Sequence, residues 1–150
     1  MKENNTMGKV FATVEVSNSA DEFNAKAGKL PASKIRKVQI ETLVDTGATM
    51  LVLAPEHIQE LGLQQTRLMR SRSVDGTVRD RRIFGPVTVK VGLRTMQTEA
   101  TEGTKGVPNL LGQIPLEALD LLVDSKNQRL IFNPLCPDPE MGMMDIFCNE

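Results

Sequence analysis

The chain has 150 residues, with 18 Lys and Arg against 19 Asp and Glu, one His, two Cys, five Phe and neither Trp nor Tyr. That length suits one domain with a single core, and a net charge of −1 offers no broad attraction for nucleic acid. So few His and Cys exclude a structural zinc set, and with His57 as the sole imidazole any chemistry falls to carboxylates or hydroxyls.

Residues 1–7 read as an N-terminal extension. The opening MKENNTMGKV lacks the apolar stretch of about 7–15 residues that marks a secretory signal. No run reaches the roughly 18–20 apolar residues of a membrane span. A cytoplasmic setting without a membrane partner is expected, with Cys136 and Cys148 reduced.

Val10, Ala12, Val14 and Val16 alternate with Phe11, Thr13 and Glu15, the period of a half-buried strand. Residues 17–33 are polar, contain Gly28 and Pro31, and read as a loop. A second strand places Val38, Ile40, Thr42 and Val44 on one face. After Asp45-Thr46-Gly47 the apolar run Ala48–Leu53 is extended, and Pro55 opens a short helix that turns Ile58 and Leu61 inward and stops at Gly62.

Residues 67–84 form a hairpin with Asp75-Gly76 at its turn. Val87, Val89 and Val91 alternate, Gly92 turns the chain, and Arg94–Thr101 returns as a more polar strand. Gly103–Pro108 is a loop whose Gly103-Thr104-Lys105-Gly106 lacks the spacing of a phosphate loop. Leu110-Leu111-Gly112 precedes a helix expected over Leu116–Leu122 and opened by Pro115. Asp124–Asn127 turns into a last strand, Gln128–Phe132. Residues 134–150 hold three prolines, four acids and no Lys or Arg, and read as an appended acidic tail. The sum is an all-β class, a small closed barrel with one or two short helices.

One segment stands apart. In Leu43-Val44-Asp45-Thr46-Gly47-Ala48-Thr49 a carboxylate follows an apolar strand and precedes a hydroxyl, a glycine and a small residue. Asp, Thr and Gly commonly end strands as plain turns. Here the turn lies between apolar runs, which predicts an interior position where an ionised Asp needs hydrogen bonds. The N–H groups of Gly47 and Ala48 are expected to hold the carboxylate, and Thr46 to bond across to a neighbour.

Asp45-Thr46-Gly47-Ala48, the Asp75-Gly76 hairpin and Leu110-Leu111-Gly112 before a short helix resemble, in order and spacing, the retropepsin-like (retroviral-type) aspartic proteases. The similarity spans roughly residues 8–133 and looks closest to prokaryotic-type members. The resemblance implies an acid-protease fold with one lobe per chain and Asp45 as the catalytic carboxylate. It implies that Thr46 joins subunit contacts and that Gly47 and Ala48 supply backbone contacts. Val74, Asp75, Gly76, Thr77 and Val78 would form a flap over bound peptide. Leu110, Leu111 and Gly112 would support the site, Gly112 by letting the backbone pass close behind the loop.

This chemistry takes two carboxylates sharing one proton around a water. The chain has one Asp-Thr-Gly, since Asp124-Ser125-Lys126 puts Lys where Gly is needed. The second carboxylate must then come from another copy, which implies a homodimer with the site on its two-fold axis, a peptide or protein substrate, and no metal or organic cofactor. Val44, Leu53, Val74, Val78, Phe84, Leu110 and Ile114 are pocket candidates. The absence of Tyr excludes a flap tyrosine of the pepsin type. The chain departs from the retroviral members' glycine-rich, nearly neutral flap: Arg67, Arg70, Arg72, Arg79, Arg81 and Arg82 stand here against Asp75 and Asp80. A solvated hairpin explains them, as does steering of acidic peptides to the cleft. For the acidic tail the alternatives are disorder, packing at the dimer interface, or folding toward the basic hairpin to cover the cleft, which its opposite charge favours. The rival to an endopeptidase is a non-catalytic dimeric peptide-binding or assembly module on the same fold.

Overall fold

The computed structural model describes residues 9–145. The alternating valines at the start form strand β1 (Val10–Asn18), and the second apolar series forms β2 (Lys37–Val44). They pair antiparallel from Val10 opposite Val44 to Ser17 opposite Lys37. β3 (Leu51–Leu53), β4 (Gln64–Arg72), β5 (Val78–Val91), β6 (Arg94–Glu102) and β7 (Asn109–Leu111) complete the main sheet, and β8 (Leu121–Asp124) and β9 (Arg129–Phe132) make a separate hairpin.

Neighbouring strands run β1-β2-β7-β3-β6-β5, and β5 pairs back onto β1. The ring is therefore a closed six-stranded barrel, which removes its free edges. β4 lies outside the ring, paired only to β5. The all-β barrel expected from the strand pattern is the observed fold.

Alternation decides what fills the barrel. Val14, Val16, Ile40, Leu51, Leu53, Phe84, Val87, Val89, Ala100 and Leu111 point inward into one buried cluster. Ile58 of helix α2 (Pro55–Glu60), Leu61, Leu63, and Leu116 of helix α3 (Gln113–Ala118) close it, with Leu119 and Leu121. Burying each such large side chain contributes about 1.5–3 kcal/mol. Among the described residues no helix is long and apolar enough to cross a membrane.

Three expectations need correction. Residues 17–33 are not a loop: Ser19–Lys26 form helix α1, and Ala32–Lys34 a 3₁₀ turn, so the described residues hold three α-helices rather than one or two. α1 is set by its ends instead of an apolar stripe. The Asn18 side chain accepts the Asp21 N–H at 3.0 Å, Asp21 and Glu22 lie in the first turn, and Lys26 in the last, each complementing the helix dipole. Asp21 also accepts from Arg36 Nε at 2.9 Å and Nη2 at 3.0 Å, which ties α1 to the chain entering β2. Those bonds from Arg36 hold the Asp21 carboxyl below its ordinary range.

The second correction concerns the helix after Gly112. It covers Gln113–Ala118, and Leu121 and Leu122 belong to β8; Asp120 turns the chain with φ of 54°. The third concerns the tail. Up to Asp145 it lies on the barrel, away from the hairpin, held by an arginine that the sequence places in an ordinary polar strand. Arg94 is 2% exposed, stacks on the Phe132 ring at 4.1 Å, and donates to the carbonyls of Leu119, Asp120, Cys136 and Asp138 at 2.6–3.0 Å. The Met143 N–H donates to the Asp120 carboxylate at 2.8 Å and holds it below its ordinary pKa. Cys136 is a free thiol; Cys148 and the expected N-terminal extension, residues 1–7, lie outside the described residues.

Candidate active site

β2 ends at Val44, and the Asp45 N–H donates to the Leu111 carbonyl of β7 at 3.0 Å. That bond continues the parallel β2–β7 pairing, in which Val44 opposes Leu111, and fixes where the loop leaves the barrel. The Gly47 N–H then donates to Asp45 Oδ1 at 2.9 Å. The Ala48 N–H does not reach the carboxylate as expected; it closes the turn on the Asp45 carbonyl at 3.1 Å. Asp45 is half-buried, and Thr46 and Gly47 are exposed, so in one chain the loop is at the surface and not in the interior that its apolar flanks suggest.

The rear of the loop is the opposite. Gln113 N–H donates to the Ala48 carbonyl at 2.8 Å, and Ile114 N–H to the Thr49 carbonyl at 2.9 Å. Between them the backbone approaches so closely that a Cβ on Gly112 would lie 2.3 Å from the Met50 carbonyl oxygen and 2.7 Å from that of Ala48. Only glycine fits there. Leu111 is fully buried beside it, and Leu110 faces the other side of β7.

That other side is a cleft of about 660 Å³ between the Asp45 loop and the β4–β5 hairpin. Its floor comes from residues interleaved with the core: Val52 lies between inward Leu51 and Leu53, Leu110 precedes inward Leu111, and Ile83 precedes inward Phe84. Val52 and Leu110 are register partners. Asp45, Gly47 and Ala48 form one wall, and Met69, Arg70, Ser71, Arg72, Ser73 and Arg81 of the hairpin overhang it.

Of the expected site residues, the structure brings Asp45, Gly47, Ala48 and Leu110 to this cleft. The hairpin tip does not reach it. Val74, Asp75, Gly76, Thr77 and Val78 are exposed, and the segment just before them faces the cleft instead. The tip itself is ordered locally: Gly76 N–H donates to the Ser73 carbonyl and Ser73 N–H to that of Thr77, both at 2.9 Å. Thr77 N–H donates to the Asp75 carboxylate at 2.9 Å, which lowers its pKa. Among the pocket candidates, Leu53 and Phe84 are core, and Ile114, Val74 and Val78 are exposed away from the cleft; Val44 packs against the core. Met50, Val52, Met69, Ile83 and Val107 were the apolar lining residues missed, and alternation with neighbouring core residues is the signal that would have found Val52 and Ile83. His57 sits on α2, 3.4 Å from Glu60, outside the cleft. Among the described residues no cluster of three or more His, Cys, Asp or Glu is placed to hold a metal ion.

Residues 32–113 match the model of a family described as aspartyl protease, a span that includes the Asp45 loop, both hairpin strands and Gly112. No curated protein matches the chain. Among solved structures, a similar one is the EIAV protease complexed with the inhibitor HBY-793. It is 26% identical over 54% of this chain and 77% of that chain, with a TM-score of 0.42.

Proposed function

This chain belongs to the aspartyl protease family, and from that we propose that it is an aspartic endopeptidase acting as a homodimer, with Asp45 of each copy forming the catalytic pair. The observation that carries the reading is the Asp45 loop itself. One carboxylate per chain, oriented by the Gly47 N–H at 2.9 Å, stands at the wall of a peptide-sized cleft with its outer side, Thr46 and Gly47, exposed.

The chemistry follows from two such carboxylates facing each other across a two-fold axis. One is ionised and takes a proton from the water between them as the water oxygen attacks the scissile carbonyl carbon. The other is protonated and gives its proton to the carbonyl oxygen. The resulting tetrahedral diol collapses: the C–N bond breaks, the leaving amine takes the proton first removed from water, and one diol hydroxyl returns its proton to the second carboxylate as the new carbonyl forms. No covalent enzyme intermediate forms. The extended substrate gains backbone hydrogen bonds from the walls and apolar contact from Val52, Ile83 and Leu110.

Incubation of the full chain with unfolded casein from pH 4 to 7, beside Asp45→Asn, tests this. Cleavage by the parent and none by the variant is expected. Equal behaviour of the two would remove the peptidase reading and leave a binding module on the same barrel.

A further inference from the structure

Five of the six hairpin arginines divide into two sets by what they touch, with Arg79 in neither. Arg67 meets Glu99 at 2.7 Å and Arg82 meets Glu102 at 2.6 Å, pairs that pin the base of the hairpin to β6. Arg70, Arg72 and Arg81 instead line the cleft that contains Asp45. Arg70 stands 3.5 Å from Asp80, with both side chains mostly in solvent, so the pair is weak. Among the described residues no carboxylate pairs with Arg72 or Arg81.

Arg81 is the better placed of the two. It is half-buried, and its Nε donates to Ser71 Oγ of the opposing strand at 3.1 Å. A neutral hydroxyl orients the guanidinium without cancelling its charge, and the terminal nitrogens keep the fork geometry that suits a carboxylate. The acids lining the same cleft are Asp45, assigned above to catalysis, and Glu102, already bound by Arg82. The cleft thus has an apolar floor and a roof with uncompensated positive charge.

We propose that the cleft selects peptides with an acidic side chain, bound by Arg81 with support from Arg72. Successive side chains of an extended peptide point to opposite sides, so the acidic residue turns to the hairpin while an adjacent apolar residue rests on Val52, Ile83 and Leu110. This rests on the peptidase reading and adds its substrate class.

The test uses peptide pairs identical except for Glu or Gln at each position flanking the cleaved bond, assayed near pH 6, where a substrate Glu is ionised. At one position the Glu peptide is expected to show about tenfold higher kcat/KM. Arg81→Gln should bring that ratio close to one, and Arg81→Glu should turn the preference toward the matching Lys peptide. Arg67→Gln, which alters hairpin charge outside the cleft, should keep the ratio, separating a bound carboxylate from general attraction. Equal cleavage of Glu and Gln peptides by the parent, or a ratio that survives Arg81→Gln, overturns the proposal while leaving the peptidase intact. If the parent cleaves nothing, the peptidase reading fails by itself. Fluorescence anisotropy of the same labelled peptides with the full-length Asp45→Asn chain then decides selectivity: tighter Glu binding that needs Arg81 supports it, and equal binding overturns it.

Discussion

Strand β5 passes through two different environments. From Ile83 to Val91 most of its residues are buried and it pairs with β6, with β4 on its other side at Ile83–Gly85 and β1 at Val87–Lys90; from Val78 to Arg82 it is largely exposed and pairs with β4 alone. The change falls at register shifts, between Phe84 and Val87 toward β6 and between Gln65 and Arg67 on β4, where bulges bend a strand. The barrel half is over-determined by packing and closure. The hairpin half rests on one ladder, a few ion pairs and a turn, the kind of segment that opens at lower cost than a closed core. The proposed peptidase draws on both: a rear fixed by packing behind Asp45, and a lightly held roof over the cleft.

The comparison is broken most severely at Gly112. A methyl there meets two carbonyl oxygens of the Asp45 loop with no flexible side chain to yield. Gly112→Ala should cost about 3 kcal/mol or more in urea unfolding and abolish cleavage together. Next is Arg94, whose removal strands four carbonyls. Arg94→Met should cost about 2–4 kcal/mol and open the segment after Asn133 to limited proteolysis, with the hairpin unchanged.

A smaller effect is expected at Asp21. Its folded pKa lies below the ordinary 3.8, chiefly through the side-chain bonds from Arg36. The associated stability is therefore complete above the unfolded value and is lost as pH falls through the folded one. Asp21→Asn should be less stable than the parent at neutral pH, and the gap should narrow in acid unfolding below that value. Smallest is Gly76 at the hairpin tip. Its φ is 86°, with open space around the Cβ position, so Gly76→Ala meets only the left-handed backbone penalty of about 1 kcal/mol, and the midpoint of thermal unfolding should fall by only about 3 °C.

The same contrast explains what was legible in the sequence. Period-two alternation marks β1, β2 and the Val87–Val91 part of β5, whereas β3 and β7, three residues each, are too short to show it; Asp45, Gly47 and Ala48 of the Asp-Thr-Gly-Ala loop, with Leu110, are among the residues the fold brings to the cleft. Helix α1 was hidden because its one large apolar residue, Phe23, is 54% exposed; its caps and the pairing of Asp21 with Arg36 do the holding, and such contacts leave no periodicity. Arg94 looked like any charge on a polar strand, since its carbonyl partners lie 25 to 44 residues away. The tail looked detached for the same reason. The hairpin was visible, but which of its residues face the cleft depends on the bend of β5, and that sets Met69–Ser73 over the floor instead of the tip.

The most direct measurement mixes parent and Asp45→Asn chains, refolded together at varied ratios, and follows cleavage of one peptide. With one carboxylate from each of two copies, activity should fall as the square of the parent fraction, to about a quarter in an equal mixture. A linear fall, to about a half, would contradict a shared site and place a complete one within each chain.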